Sequence, residues 1–373
     1  LTARVYLDWN ATAPLRPEAR AAALAAMDLR GNPSSVHAEG RAARAVVERA
    51  RAQVAALAGC EPDQVVFTSG ATEAAAMTEP EGASLGTDLE HDCVRNALRY
   101  DAGRWRVGAD GRADIDALGA ALAADASVEA IALTAAQNET GVLQDIGRVA
   151  RLARDGGRSF IVDAAQALGR VEFGFASLGA AFALVSAHKL GGLKGVGALI
   201  ARDRRPGLRY AARAPSATHE RGLRAGTENV AGIAAFGAAA EAARRDLENG
   251  VWERVRTLRD QLERRLADAA PATMFMAAGV ARLPNTSCFA VPGWKGETQV
   301  MQLDLAGFAV SAGAACSSGK VGPSRALRAM GCDDIAAASA IRVSLGPATT
   351  SDEIARFCDA WIGLYAKRRA RAA

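Results

Sequence analysis

Residues 184–197 read LVSAHKLGGLKGVG. A short apolar run ends in Ser186, Ala187, His188 and Lys189, and Gly191, Gly192, Gly195 and Gly197 follow. The pattern sets one lysine at the lip of a buried strand, beside a backbone free of side-chain bulk. Lysines are scarce in this arginine-rich chain, so Lys189 in that setting asks for a chemical reason. Condensation with an aldehyde cofactor is one, because a desolvated amine in a partly cationic setting acts as nucleophile and proton carrier. A surface lysine closing a loop is the plainer alternative.

Working outward, residues 130–134, 159–162 and 182–185 are apolar runs of strand length, with helical patterns over 115–124 and 146–155. Strands alternating with helices read as parallel strands with helical crossovers, hence an α/β sheet covered on both faces. Ligands of such sheets gather at the carboxyl ends of the strands. The polar words fall there: QNETG at 137–141, DAAQ at 163–166 and SAHK at 186–189. Nearer the start, a helix over residues 17 to about 29, the loop GNPSSVH and a helix over 39–58 ending at Gly59 lead into VVFTSGATEAA at 65–75. That last word reads as strand, turn and helix, the arrangement in which free N–H groups at a helix start face phosphate. Residues 230–270 read as one long amphipathic helix. After Pro271 short strands and loops take over, which implies a smaller α+β domain beginning near residue 249.

The chain has 373 residues, half of them apolar, and a formal charge of only +4. Its arginines alternate with acids along helical faces, which excludes a nucleic-acid stripe. No run is long enough to span a membrane, and the opening residues LTARVYLDWNATAP lack the charged and small-residue pattern of a cleaved leader, so a cytoplasmic enzyme is expected. Six cysteines show no C-x-x-C pair and no spacing with histidine that would make a metal site, and a disulfide framework is not expected.

Each candidate site residue has a chemical reading and a plainer one. Asp163 ends an apolar strand, where a carboxylate would hold a protonated pyridine nitrogen, although strand-end aspartates often just cap helices. Gln166 would reach the ring's phenolic oxygen. His91, read as following a short strand that ends in Glu90, would stack on the ring and move protons. Arg342, in the β pattern IRVSLG, would bind a substrate carboxylate through its guanidinium fork. Cys316 lies in SAGAACSSGK, a run of small residues with the look of a mobile loop, and an exposed thiol there is a reagent. The other five cysteines are expected to be apolar packing.

Together these words make the chain resemble the cysteine desulfurases of the NifS/IscS type, in the class V aminotransferase-like family. The matching words are YLDWNATAP, GNPSSVH, FTSGATE, EHDCV, QNETG, VDAAQALG, SAHKLGGLKGVGAL, ERGLRAGTEN, SAGAACSSG and RVSLG, in the family's order over essentially the whole length. The resemblance implies the aspartate-aminotransferase-like fold of pyridoxal-phosphate-dependent transferases. That is a large domain over 16–248 with a mixed, mainly parallel sheet, and a small α+β domain from 1–15 and 249–373. It implies a homodimer that binds pyridoxal 5'-phosphate, converts L-cysteine to L-alanine and passes the sulfur on as a persulfide, for iron–sulfur cluster assembly or other biosynthesis. Lys189 would carry the cofactor, Asp163 its pyridine nitrogen and Gln166 its phenolic oxygen, with His91 stacked above. Ala71, Thr72, Ser186 and His188 would hold the phosphate, helped by Thr227 of the neighbouring subunit. Arg342 and Asn138 would take the substrate carboxylate, and Cys316 would take the sulfur before a protein acceptor receives it.

The chain departs from the family's words at Ala76, in the shortened segment between Glu73 and His91, in the 216–220 stretch SATHE and at Leu193. It also stops soon after Tyr365. These departures bear on cofactor affinity and on partner choice more than on reaction type. Selenocysteine lyase, cysteine-sulfinate desulfinase and a weakly active assembly homologue are the alternatives. A nucleotide site is excluded because no G-x-G-x-x-G or Walker pattern follows a strand.

Overall fold

The computed structural model describes residues 4–78, 80, 82–98, 102–203, 219–313 and 323–372. Capping sets the first boundaries. After the short strand β1 (Val5–Tyr6), helix α1 (Pro17–Met27) begins with proline, whose missing N–H has no partner to lose in the first turn. Helix α2 (Ala38–Ala58) is capped by the His37 side chain and closes at Gly59 with φ 63°, a left-handed angle that favours glycine.

The expected strand, turn and helix over VVFTSGATEAA form as β2 (Val65–Thr68) and α3 (Ala71–Ala76). Strand β3 (Ala83–Leu85) and helix α4 (Asp92–Leu98) come next. The expected helices then appear as α5 (Ile115–Ala124) and α6 (Ile146–Asp155). Their starts are fixed by Asp114 and Asp145, whose carboxylates accept N–H groups of the first turn. The expected strands are β4 (Val128–Thr134), β5 (Ser159–Asp163) and β6 (Phe182–Ser186).

With β7 (Gly197–Ala201) these make a six-stranded sheet of order β2-β7-β6-β5-β4-β3. Strands β3 to β6 run parallel, while β7 is antiparallel to both β6 and β2. The sheet is therefore mixed and mainly parallel, as expected. Its strands are buried along almost their whole length, the state of a sheet covered on both faces. Thr134 lies opposite Asp163, and Ser186 opposite Gly197, so the polar words emerge side by side at one edge.

Two expectations are corrected. The helix read over 230–270 is two helices, Val230–Glu248 and Val251–Ala269. The break is at Asn249 and Gly250, where Gly250 takes φ 66°. No strand ends at Glu90: β3 stops at Leu85 and Glu90 sits in the turn before α4. Strand β7, which begins at the last glycine of the 184–197 stretch, is not among the expected strands.

A second sheet, antiparallel throughout, joins β8 (Met274–Phe275), β9 (Thr286–Ala290), β11 (Ser311–Ala312) and β12 (Ala340–Ser344) in the order β11-β12-β9-β8. Strand β1 pairs in parallel with β10 (Phe308–Ala309). A core separate from that of the large sheet gathers here, containing Val5, Leu7, Trp252, Phe289, Phe357 and Trp361. No helix among the described residues is long and apolar enough to cross a membrane.

Candidate active site

The carboxyl ends of β4, β5 and β6 deliver Asn138, Asp163 and Lys189 to one place. Asp163 is buried, and one carboxylate oxygen accepts the Ala165 N–H at 2.9 Å. Burial raises its pKa, while that hydrogen bond and the nearby charges of His91 and Lys189 act in the opposite direction. A strand-end carboxylate that deep, facing two potential cations, is more than a helix cap.

Lys189 follows β6 in a single 3-10 turn. Its Nζ donates to the carbonyls of Asn10 (2.5 Å) and Ala11 (2.9 Å). Asn10 is the hub of the site. Its carbonyl also accepts from Gln166 Nε2 at 3.0 Å, and its Oδ1 accepts from Arg170 and Asn285 at 2.8 and 3.0 Å. Its Nδ2 donates to the Asn138 carbonyl at 3.1 Å and to Thr286 Oγ1 at 2.9 Å. Arg170 is buried and donates to Gln166 Oε1 as well, and to the Trp9 and Lys189 carbonyls at 3.4 Å. Burial, then the nearby charge of Arg342, brings its pKa down to about 9.

Arg342 comes from β12, where it is 1 % exposed. Its guanidinium donates to Asp8 Oδ1 at 2.7 Å and to the Asn138 carbonyl at 3.0 Å. Asp8 in turn accepts the Ser311 hydroxyl at 2.8 Å. The two residues expected to share a substrate carboxylate are thus in direct contact, although through the backbone of Asn138 and not its amide.

Where β6 ends, the SAHK and TSGAT turns approach each other because Gly197 has no side chain. A Cβ there would lie 2.6 Å from Gly70 Cα and 2.5 Å from the Val185 carbonyl. Ser186, buried, and Ala71 and Thr72, at the start of α3, border this approach. His188 Nδ1 lies 3.1 Å from the Thr12 hydroxyl. Burial first, then the charges of Lys189, Lys194 and Arg170, hold its ring down at about 4, so it is neutral at physiological pH. Thr227 is exposed in the segment leading into helix Val230–Glu248. A buried ion pair, Arg51 to Glu220 at 2.7 Å, anchors that segment to α2, and Glu220 also accepts the Phe67 N–H of β2.

His91 lines a cleft with Glu90, Asn138, Glu139, Pro323 and Arg325. Glu90 is 1 % exposed and accepts the Thr87 hydroxyl at 2.8 Å. Burial pushes its carboxyl up to about 8, so it is protonated at neutral pH. Cys316 and residues 216–218 of the SATHE stretch lie outside the described residues. Of the remaining cysteines, Cys288 and Cys358 are fully buried packing, as expected. Cys93 is half-buried and packs against the core around Val66 and Met77, and its sulfur also lies 3.0 Å from His91 Nδ1.

Sequence reading missed Asn10, Arg170, Asp8 and Glu90. Asn10 and Asp8 stand in the word YLDWNATAP, which marks no role for either, and Arg170 stands four residues after Gln166. A polar residue punctuating a strand-like run was the available signal for Asn10.

The chain matches the aminotransferase class-V family over residues 5–357. It is 41 % identical over 373 residues to a cysteine desulfurase of Cereibacter sphaeroides, covering 95 % of this chain and 94 % of the relative. It is 42 % identical over 383 residues to a cysteine desulfurase of Frankia sp. (strain EuIK1), covering 95 % and 90 %. The X-ray structure of a NifS-like protein from Rickettsia africae superposes with a TM-score of 0.86 at 29 % identity, over 97 % of this chain and 99 % of that one.

Proposed function

We propose, on the premise that this chain belongs to the aminotransferase class-V family, how its own residues carry out the reaction of a cysteine desulfurase. The chain is a pyridoxal-phosphate-dependent enzyme of that kind, acting on L-cysteine. The observation that carries the assignment to particular residues is the net centred on Asn10. Lys189 and Gln166, the candidate cofactor residues, share its carbonyl, and its amide reaches the Asn138 carbonyl on which Arg342 also rests.

The residues present fit pyridoxal 5'-phosphate. A carboxylate as buried as Asp163 is costly unless a cation faces it, and a protonated ring nitrogen is such a cation. When bound, the group supplies an electron sink that weakens the substrate's bonds at and beyond Cα. Lys189 is the residue to hold it covalently and to move protons at Nζ. Gln166 has one N–H committed to Asn10 and keeps its second for the phenolic oxygen. Ala71, Thr72, Ser186 and the neutral ring of His188 form the phosphate border, completed by Thr227 of a second subunit.

On the substrate side, Arg342 binds the carboxylate with Asn138 beside it. The Asp8 ion pair keeps the guanidinium plane fixed, so that binding requires no reorganisation. His91, which lines the cleft, would cover the ring face. The Cys316 thiolate would attack the substrate sulfur; as the S–S bond forms the Cβ–S bond breaks, its electron pair goes to the Cβ side and is taken up by a proton, L-alanine leaves, and Cys316 holds a persulfide. A protein sulfur acceptor, and through it iron–sulfur cluster assembly, is the proposed destination. Five free cysteines and no disulfide among the described residues suit the reducing cytoplasm. The proposed domain division, 16–248 against 1–15 with 249–373, is supported by the two separate cores.

The test is cofactor retention. Wild-type protein dialysed against pyridoxal phosphate and then desalted is expected to be yellow, and Lys189→Ala to lose covalent attachment, so that borohydride no longer fixes the cofactor to the chain. A wild type that stays colourless, or borohydride labelling of a different lysine, would overturn the assignment.

A further inference from the structure

His91 is the N-cap of α4. Its carbonyl accepts the N–H groups of Val94 (3.0 Å) and Arg95 (3.2 Å), and its ring Nδ1 lies 3.2 Å from the Cys93 N–H, which donates to it. A capping side chain has to accept, because the donors at a helix start are backbone N–H groups that cannot reverse their role. His37 also caps α2, taking the Gly40 N–H at 3.3 Å, but there the Glu39 carboxylate lies 3.0 Å from the same nitrogen. At His91 the Cys93 thiol adds a second contact to Nδ1, with Sγ 3.0 Å away. Burial, reinforced by the charge of Asp163, pushes that thiol up to about 12. The sulfur therefore keeps its proton at neutral pH, and with the backbone N–H already donating to Nδ1 the thiol is placed to donate there too. Two donors on one ring nitrogen leave no room there for a proton in the neutral ring.

We propose that Cys93 is a positioning residue for His91: its N–H and its thiol together hold the imidazole as the Nε2–H tautomer, with Nδ1 committed to α4 and Nε2 left to serve the cofactor cleft. The proposal deepens the function given above and rests on it for the role of that cleft. A second proton taken up by the ring has to enter at Nδ1, where it displaces the Cys93 N–H. Sulfur accepts as well as donates, so Cys93 Sγ remains a partner through that change, which a backbone N–H alone does not.

Selective 15N-histidine labelling reads the tautomer directly, and the His91→Gln spectrum assigns the signal among the four histidines. At a pH where the ring is neutral, the wild type is expected to show Nδ1 as an unprotonated ring nitrogen and Nε2 as a protonated one. Cys93→Ala is expected to raise the Nδ1–H tautomer about fivefold, the ratio that a lost hydrogen bond of about 1 kcal/mol permits. Cys93→Ser, which restores a donor and acceptor, is expected to return the wild-type populations. A wild-type ring with its proton on Nδ1, or a Cys93→Ala spectrum identical to wild type, overturns the proposal. Should Cys93→Ala fail to fold, the wild-type and Cys93→Ser spectra decide it. The readout is a nitrogen shift in protein without substrate, so it fails or succeeds separately from turnover of L-cysteine.

Discussion

Replacing Arg342 by lysine separates charge from geometry at the proposed carboxylate site. The guanidinium serves Asp8 and the Asn138 carbonyl from different nitrogens, and its five donors in a fixed fork let it meet a substrate carboxylate as well. A lysine ammonium keeps the charge beside Asp8, so the roughly 3–5 kcal/mol cost of stripping one member from a buried pair does not arise. What is lost is the fork. Asp8 and the Asn138 carbonyl compete for one nitrogen, and a substrate carboxylate loses at least one charge-assisted hydrogen bond worth about 1.5–3 kcal/mol. At about 1.36 kcal/mol per tenfold, kcat/KM for L-cysteine should fall about 10- to 150-fold. Because the contact is made in the ground state and kept through reaction, the loss should appear mainly in KM. Steady-state alanine production measures it, with the thermal midpoint as the control for folding. An unchanged KM with a stable protein would refute this role for Arg342.

Glu90→Gln tests the buried acid beside the cleft. In the unfolded chain a glutamate releases its proton near 4.5, whereas Glu90 in the fold holds it to about 8. Wild-type stability should therefore decline between those pH values, by at most about 1.4 kcal/mol per pH unit, and level off above. Glutamine has no proton to lose, so urea midpoints of the two proteins should diverge from about pH 5 to 8; parallel curves would mean that Glu90 is ionised in the fold. Thr227→Ala should speed loss of cofactor on dialysis without altering its colour while bound, and the protein should run as a dimer by light scattering; a monomer that retains cofactor fully would exclude the shared site.

The three central strands were legible because a strand buried on both faces is an apolar run, and the polar residue that stops it marks the ligand edge. Asp163 and Lys189 become candidates that way. Helices α5 and α6 were bounded correctly because aspartates cap them, a chemistry that is local in sequence. The break at Gly250 was not legible, since Asn-Gly is a brief interruption of a strong helical period. Asn10 and Arg170 escaped for a different reason. Their importance lies in bonds that cross 160 positions of chain, and no local pattern marks a residue whose partners the fold alone brings close. Cys93 does pack as its sequence suggests, and its further contact with His91 leaves no local signal because it depends on how the helix start turns the ring.

The most direct test of the whole account is a single turnover with L-cysteine in the absence of reductant and acceptor, followed by amino-acid analysis and peptide mass spectrometry. Alanine should form in an amount equal to the active sites, with one extra sulfur on the peptide containing Cys316, and Cys316→Ser should keep its cofactor colour yet release almost no sulfur. Alanine absent from the wild type, or the extra sulfur found only on another cysteine, would contradict it.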